Sequence, residues 1–238
     1  MAVEISFDAD SLTVADFGGQ TAFETSSAYP TALKVGGKTS GSTDRVVGQP
    51  TASFLKSLSV SESNLTSADV VITGKIYRKN ATEGEFAYFG ARCPDAATDT
   101  WVGGGHRQGS GWEVVTCVNG TRTRLAYTDL ANLADGSYDV RVTIQGETVK
   151  LEVYETGTWV EKASATQSTV SAVGRAALAE YIGVLQGGFT YVSYGYFFET
   201  GSWDTIPADV SEPAMRWIGS IGYGGSRGTG SSPTNSTG

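Results

Sequence analysis

From Tyr138 to Val153 apolar and polar residues alternate in two runs around one turn. Tyr138, Val140, Val142 and Ile144 alternate with Asp139, Arg141, Thr143 and Gln145. Beyond Gly146 and Glu147 the pattern resumes, with Val149, Leu151 and Val153 set against Lys150, Glu152 and Tyr154. Period two on both sides of a glycine-containing turn predicts an antiparallel hairpin with one buried face. A slip of one residue would turn every apolar side chain into water, so the register is strongly specified.

The same reading predicts strands elsewhere along the chain. Residues 2–7 and 12–17 read as short strands, and residues 18–65 as loops and edge strands with apolar islands at Ala32–Val35 and Phe54–Val60. Further strands are expected from Val70 to Tyr77, Phe86 to Cys93, Trp112 to Val118 and Leu125 to Tyr127, with residues 94–111 as a loop. Asp135 and Gly136 form a turn into the central hairpin, and residues 161–172 a Ser/Thr/Ala connection. Ala176–Val184 suits a helix by its Ala, Leu and Glu, yet Gly174 and Gly183 flank it in β-rich surroundings, which favours a strand. Phe189–Phe198 is an aromatic closing strand. Many short strands and no reliable helix predict an all-β, two-sheet antiparallel sandwich over residues 1–205, irregular over 1–65, followed by a C-terminal arm over 206–238.

Composition narrows the function classes. With 17 basic and 25 acidic residues the net charge is −8, which disfavours nonspecific nucleic-acid binding. No apolar run reaches the roughly 18–20 residues that cross a bilayer, so no membrane partner is expected. The first residues carry no basic start or apolar stretch of a secretion signal, so either this is a mature form or the protein is made in the cytosol and reaches its place by assembly. The two cysteines, Cys93 and Cys117, are too few for a disulfide scaffold; they face each other on neighbouring strands or stay reduced, and cytosolic synthesis favours the second.

The order of elements resembles a known family. The run LADGSYDVRVTIQGETVKLEVYETGTWV, then AVGRAALAEYIGV, then FTYVSYGYFF, is similar to the second half of a concanavalin A-like (laminin G-like) jelly roll. SADVVITGKIYRK with EFAYFGARC resembles the strands that precede it, so the likeness covers roughly residues 65–200. It implies two curved antiparallel sheets of about six or seven strands each. It also implies that the concave face and rim loops bind glycans, often beside a calcium ion, although fold alone does not set function.

Catalytic chemistry finds little support in the residues. Glycoside hydrolases of this fold carry Glu-x-Asp-x-x-Glu, which sets two carboxylates across the scissile bond; no such run exists here. Glu83 and Glu85 are the nearest acidic pair and read as a solvated turn. The single histidine, His106, has no Gly-x-Ser-x-Gly partner motif, and zinc, P-loop and dinucleotide spacings are absent. No enzyme activity and no cofactor are expected, calcium aside.

Two binding sites remain as candidates. In the segment from Trp101 to Trp112, the tryptophans can stack on sugar rings while His106, Arg107 and Gln108 hydrogen-bond to hydroxyls or carboxylates. The other reading of the same residues has both tryptophans packing inward and the glycines serving as turns. A calcium ion can be held where Asp8, Asp10 or Asp16 meets Asp204 with backbone carbonyls completing the shell; otherwise these are solvated turn aspartates.

The Gly/Ser/Thr-rich arm has no core of its own, and ordering it costs roughly 1–2 kcal/mol per residue. Met215, Trp217, Ile218, Ile221 and Tyr223 are its natural anchors, on a neighbouring subunit or back on its own domain. Two functions follow. The first is a non-enzymatic structural protein of a large homo-oligomeric assembly, best fitted by a bacteriophage virion component such as a capsid-decorating, head-fibre or tail protein. The second is a carbohydrate-binding, lectin-like recognition module whose partner is a surface glycan.

Overall fold

The computed structural model describes residues 2–8, 23–25, 33–36, 45–48, 55–95, 97–129, 132–182 and 195–206. Every regular element in them is a β-strand: β1 (Ala2–Asp8), β2 (Phe23–Thr25), β3 (Leu33–Gly36), β4 (Arg45–Gly48), β5 (Leu55–Ser61), β6 (Val70–Lys79), β7 (Phe86–Cys93), β8 (Trp101–Arg107), β9 (Gly111–Val118), β10 (Thr121–Thr128), β11 (Gly136–Gln145), β12 (Thr148–Glu155), β13 (Thr158–Thr166), β14 (Arg175–Ile182) and β15 (Gly195–Thr205). They form two antiparallel sheets. The eight-stranded sheet runs β13-β12-β11-β6-β15-β4-β3 with β1 added beside β15; the seven-stranded sheet runs β10-β9-β8-β7-β14-β5-β2.

The central hairpin forms in the expected register, with Val140 opposite Val153, Val142 opposite Leu151 and Ile144 opposite Val149. All six of these side chains are buried in the main core. At roughly 1.5–3 kcal/mol for each buried aliphatic side chain, this row is a large part of what holds the sheets together. From the other sheet Ala87, Phe89, Val102, Val114 and Leu178 meet it. Phe89 packs edge-on against Phe198 and Trp203, with ring centroids 5.1 and 6.0 Å away. Gly74 makes room for it: a Cβ there would fall 2.3 Å from the tip of the Phe89 ring. The Trp203 indole donates to the Gly90 carbonyl at 2.8 Å and so ties one sheet to the other.

One end of the sandwich is tied by a buried arginine. Arg92 has a backbone φ of 60° where the pairing of β14 with β7 shifts register. Its side chain donates to the carbonyls of Ala68, Val170 and Gly146 and to Asp69 Oδ1. Asp69 in turn accepts from the Gly146 amide at the hairpin turn. Burial lowers the Arg92 pKa from its usual value, while Asp69 opposes that shift.

Several expectations are corrected. Residues 94–111 are no simple loop, because 101–107 form β8, which pairs with β7 and β9. The glycines that suggested turns are strand residues allowing close approach of β7. Residues 158–166 form β13 rather than opening a connection. The closing strand lies further along than expected and runs to Thr205, so that Trp203 belongs to the core. Residues 12–17 and 189–194 lie outside the described residues. The ambiguous segment is a strand as far as Ile182, since β14 pairs with both β5 and β7; residues 183 and 184 lie outside the described residues.

Candidate functional site

The outer face of the seven-stranded sheet carries a cluster with chemistry that the core lacks. Strand alternation sends Phe86 and Tyr88 of β7, Trp101 and Arg107 of β8, Glu113 of β9 and Tyr181 of β14 to the side opposite Phe89 and Val114. The aromatic rings form a continuous row: Tyr181 and Phe86 stack at 5.7 Å, Phe86 and Tyr88 at 4.5 Å, and Tyr88 meets Trp101 at 5.9 Å.

Glycine makes the polar part of this site. Tyr88, Gly105 and Glu113 are register neighbours across β7, β8 and β9. The outer strands of that trio are about 10 Å apart, and any side chain on the middle residue would stand between them. With Gly105 there, the Tyr88 hydroxyl donates directly to Glu113 Oε1 at 2.5 Å. Arg122 Nη1 reaches in from β10 and lies 2.8 Å from both the Tyr88 hydroxyl and Glu113 Oε1. Its guanidinium also sits 5.6 Å above the Phe86 ring. Arg124 Nε is 3.8 Å from Glu113 Oε2, an ion pair too long to be a hydrogen bond. Glu113 Oε2 therefore accepts no hydrogen bond among the described residues, although it is buried.

The electrostatics follow from these contacts. Burial raises the Tyr88 pKa well above its usual value, and Glu113 raises it further, while Arg122 and Arg107 pull it down. The hydroxyl is thus a proton donor to the carboxylate across the physiological range. The aromatic floor is closely packed, with Tyr88 at 0% exposure and Trp101 at 2%. The cationic edge reaches solvent, with the Arg124 side chain 40% exposed and that of Arg122 19%.

The expected Trp101–Trp112 site divides between two faces. Trp101 and Arg107 belong to the outer cluster, and the Trp101 indole donates to Asp99 Oδ1 at 2.8 Å. His106 and Trp112 point between the sheets instead, with ring centroids 4.9 Å apart and no exposure, so neither offers a face to a sugar. His106 Nδ1 is hydrogen-bonded to the Tyr196 hydroxyl at 2.5 Å. Gln108, in the turn, accepts from Tyr196 and donates to Asn132 Oδ1. This polar chain satisfies buried groups at one end of the core. Tyr88, Glu113, Arg122, Arg124, Phe86 and Tyr181 were not singled out from sequence. The available signal was period-two pairing, Phe86 with Tyr88, Gly103 with Gly105 and Arg122 with Arg124, on strands that become neighbours only once the sheet order is known.

Of the residues expected to hold calcium, the described residues place one pair, Asp8 and Asp204. Asp8 stands opposite Thr200 and Asp204 opposite Val3. They are about 13 Å apart along the strands, too far for both carboxylates to reach one ion at about 2.4 Å. Asp204 accepts from the Ser202 hydroxyl at 3.2 Å. Asp10 and Asp16 lie outside the described residues, and among the described residues no three His, Cys, Asp or Glu side chains converge as a metal site. Glu85 is also corrected: it is 2% exposed rather than solvated, and accepts from the Thr82 amide at 2.7 Å. Cys93 and Cys117 are both buried. They sit on β7 and β9 with β8 between them, so they do not lie on neighbouring strands. Met215, Trp217, Ile218, Ile221 and Tyr223 lie outside the described residues.

Comparison with solved structures identifies the architecture. The chain is similar to the VIP36 exoplasmic/lumenal domain in its Ca2+/Man2-bound form, with TM-score 0.54, 10% identity, and coverage of 87% of this chain and 90% of that one. It is similar to peanut lectin, with TM-score 0.51, 12% identity and coverage of 84% and 96%. A Bacillus licheniformis β-glucanase aligns with TM-score 0.51, 12% identity and coverage of 85% and 99%. The fold is the concanavalin A-like jelly roll shared by lectins and glucanases. No protein-family model and no curated protein sequence matches the chain.

Proposed function

We propose that this protein is a carbohydrate-binding, lectin-like module, and that the outer face of the seven-stranded sheet holds its ligand. The observation that carries this reading is Glu113, a buried carboxylate whose Oε2 has no hydrogen-bond donor among the described residues, set beside Arg122 and Arg124 at the end of an aromatic row. Sugar hydroxyls donate to a carboxylate and accept from guanidinium, and the exposed ring beside them is Tyr127 under Arg124, since Phe86, Tyr88 and Trp101 are buried. The mannose-bound form of VIP36 and peanut lectin support this reading over a virion structural role.

Binding without hydrolysis is part of the proposal. Retaining glycosidases set two carboxyl groups about 5–5.5 Å apart. Here Glu113 is engaged by a tyrosine and two arginines, and no second carboxylate contacts it among the described residues. Its surroundings suit holding a hydroxyl better than delivering a proton.

A glycan array followed by titration calorimetry tests both parts, using the full chain and Glu113→Gln. Saccharide binding that weakens about tenfold in the folded variant supports the site, the loss of one charged hydrogen bond being worth roughly that much. Failure of every saccharide class to bind sinks the reading. Release of reducing ends from a bound polysaccharide would sink the non-catalytic part alone.

A further inference from the structure

The charge on the outer face indicates which saccharides fit it. Two guanidiniums, Arg107 and Arg122, lie by Phe86 and Tyr88, and a third, Arg124, lies by Glu113 and Tyr127. Arg107 is the register partner of Phe86 and lies close enough to Tyr88 to lower the pKa of its hydroxyl. Arg122 sits over the Phe86 ring, and Arg124 over the Tyr127 ring at 4.0 Å. Against them stands one contacting carboxylate, Glu113; Asp99, near Trp101, accepts from that indole. Three arginines against these two carboxylates leave one positive charge in excess among the groups named, in a chain whose net charge is −8.

Arg107 adds a second observation. Its Nε is buried and meets no acceptor among the described residues, and no described carboxylate pairs with it. A ligand does not reach this buried nitrogen, so an acceptor from outside meets the terminal nitrogens of Arg107, which have no hydrogen bond or ion pair among the described residues. The planar guanidinium fork matches a carboxylate in shape as well as in charge.

We propose that the ligand of this face is an anionic saccharide bearing uronate carboxylates, one of which is received by Arg107 with Arg124 and Arg122 beside it. The proposal rests on the carbohydrate-binding reading and adds the charge of the ligand. In it Glu113 neutralises part of the arginine cluster and orients Arg122, leaving Arg107 and Arg124 to meet the carboxylate. The exposed Tyr127, 52% accessible and already capped by Arg124, marks the outer end of the same strip.

The test is titration calorimetry of the full chain with oligogalacturonate, with its methyl ester of the same length, and with neutral gluco- and manno-oligosaccharides. Binding to the uronate is expected to weaken about tenfold or more on esterification, and to weaken as salt is raised, because a charge-assisted contact is lost or screened. Arg124→Ala, at an exposed position that leaves the core intact, is expected to cost about tenfold, with Arg124→Lys recovering part of it. Equal binding of ester and acid, or uronate binding that is untouched in Arg124→Ala and in Arg107→Ala, overturns the proposal. Binding of the neutral oligosaccharides alone overturns it while leaving the carbohydrate reading in place. Binding of none of them to a folded chain overturns the uronate proposal, and only a broader glycan array then decides the carbohydrate reading.

Discussion

Tyr88 and Glu113 lie on strands that are not neighbours, yet the tyrosine hydroxyl donates to Glu113 Oε1 at 2.5 Å over the bare backbone of Gly105. The contact is possible because one residue in the intervening strand lacks a side chain, and it places a buried carboxylate within reach of two arginines. Tyr88→Phe removes one of the donors to that carboxylate. A loss of about 1–3 kcal/mol in unfolding free energy is expected, and it should be smaller in a Glu113→Gln background. Additive losses in a denaturant double-mutant cycle would show that the two groups are not coupled.

Gly105→Ala tests the intervening strand. The new Cβ would fall 2.0 Å from the Ala87 carbonyl oxygen, so β7 and β8 must separate. The expected cost is about 1–3 kcal/mol or more, as for other overpacked sites. A thermal melt superimposable on that of the unmodified chain would disprove the close approach.

Arg92→Met removes the donor that serves Ala68, Val170, Gly146 and Asp69 at once. The methionine fills the stem but leaves carbonyls buried without partners, for an expected loss of roughly 3–5 kcal/mol. Hydrogen exchange should quicken first at the Gly146 amide, which donates to Asp69. Uniform quickening across both sheets would mean that Arg92 does not organise this end locally.

The thiols are expected to be inert in the native state. Burial pushes the Cys93 thiol up to about 12, and β8 separates it from Cys117 by two strand spacings, about 10 Å, beyond the roughly 7 Å that a disulfide can span. Folded protein should react with Ellman's reagent only after denaturant is added, then at two sites. A mass two units lower after mild oxidation would contradict the strand order.

Acid should release one ion-pair contribution in a defined window. The hydrogen bond from Arg141 holds Glu152 below its ordinary value of 4.5, with Lys150 assisting. A carboxylate with a depressed folded pKa stabilises the fold above its unfolded pKa, and that contribution is lost as pH falls through the folded value. The stability difference between the native chain and Glu152→Gln should therefore be full near neutrality and shrink below about pH 4.5. A difference that stays constant down to pH 2 would remove the ion pair from the account.

How far the chain could be read follows from the range of each interaction. The hairpin from Tyr138 to Glu155 was legible because its pairing is local and its period is two, so the sequence carries both partners and the turn between them. The glycines of β8 misled for the same reason: a local reading takes consecutive glycines for a turn, and only β7 lying alongside explains them. His106 and Trp112 looked like surface ligands because strand parity at Trp101 was unknown while the segment was taken for a loop.

By itself, then, the amino-acid pattern determined the all-β class and the central hairpin with its register, both of which depend on alternation along the chain, while the jelly-roll order came from resemblance to a known family. Tertiary structure alone decided which side of each strand meets which neighbour. It brought Tyr88, Glu113, Arg122 and Arg107 together from four strands, and it placed Asp8 and Asp204 too far apart for one ion. Side-chain convergence depends on sheet order, and sheet order is set by the packing of distant residues rather than by any stretch that a reader of the sequence can see.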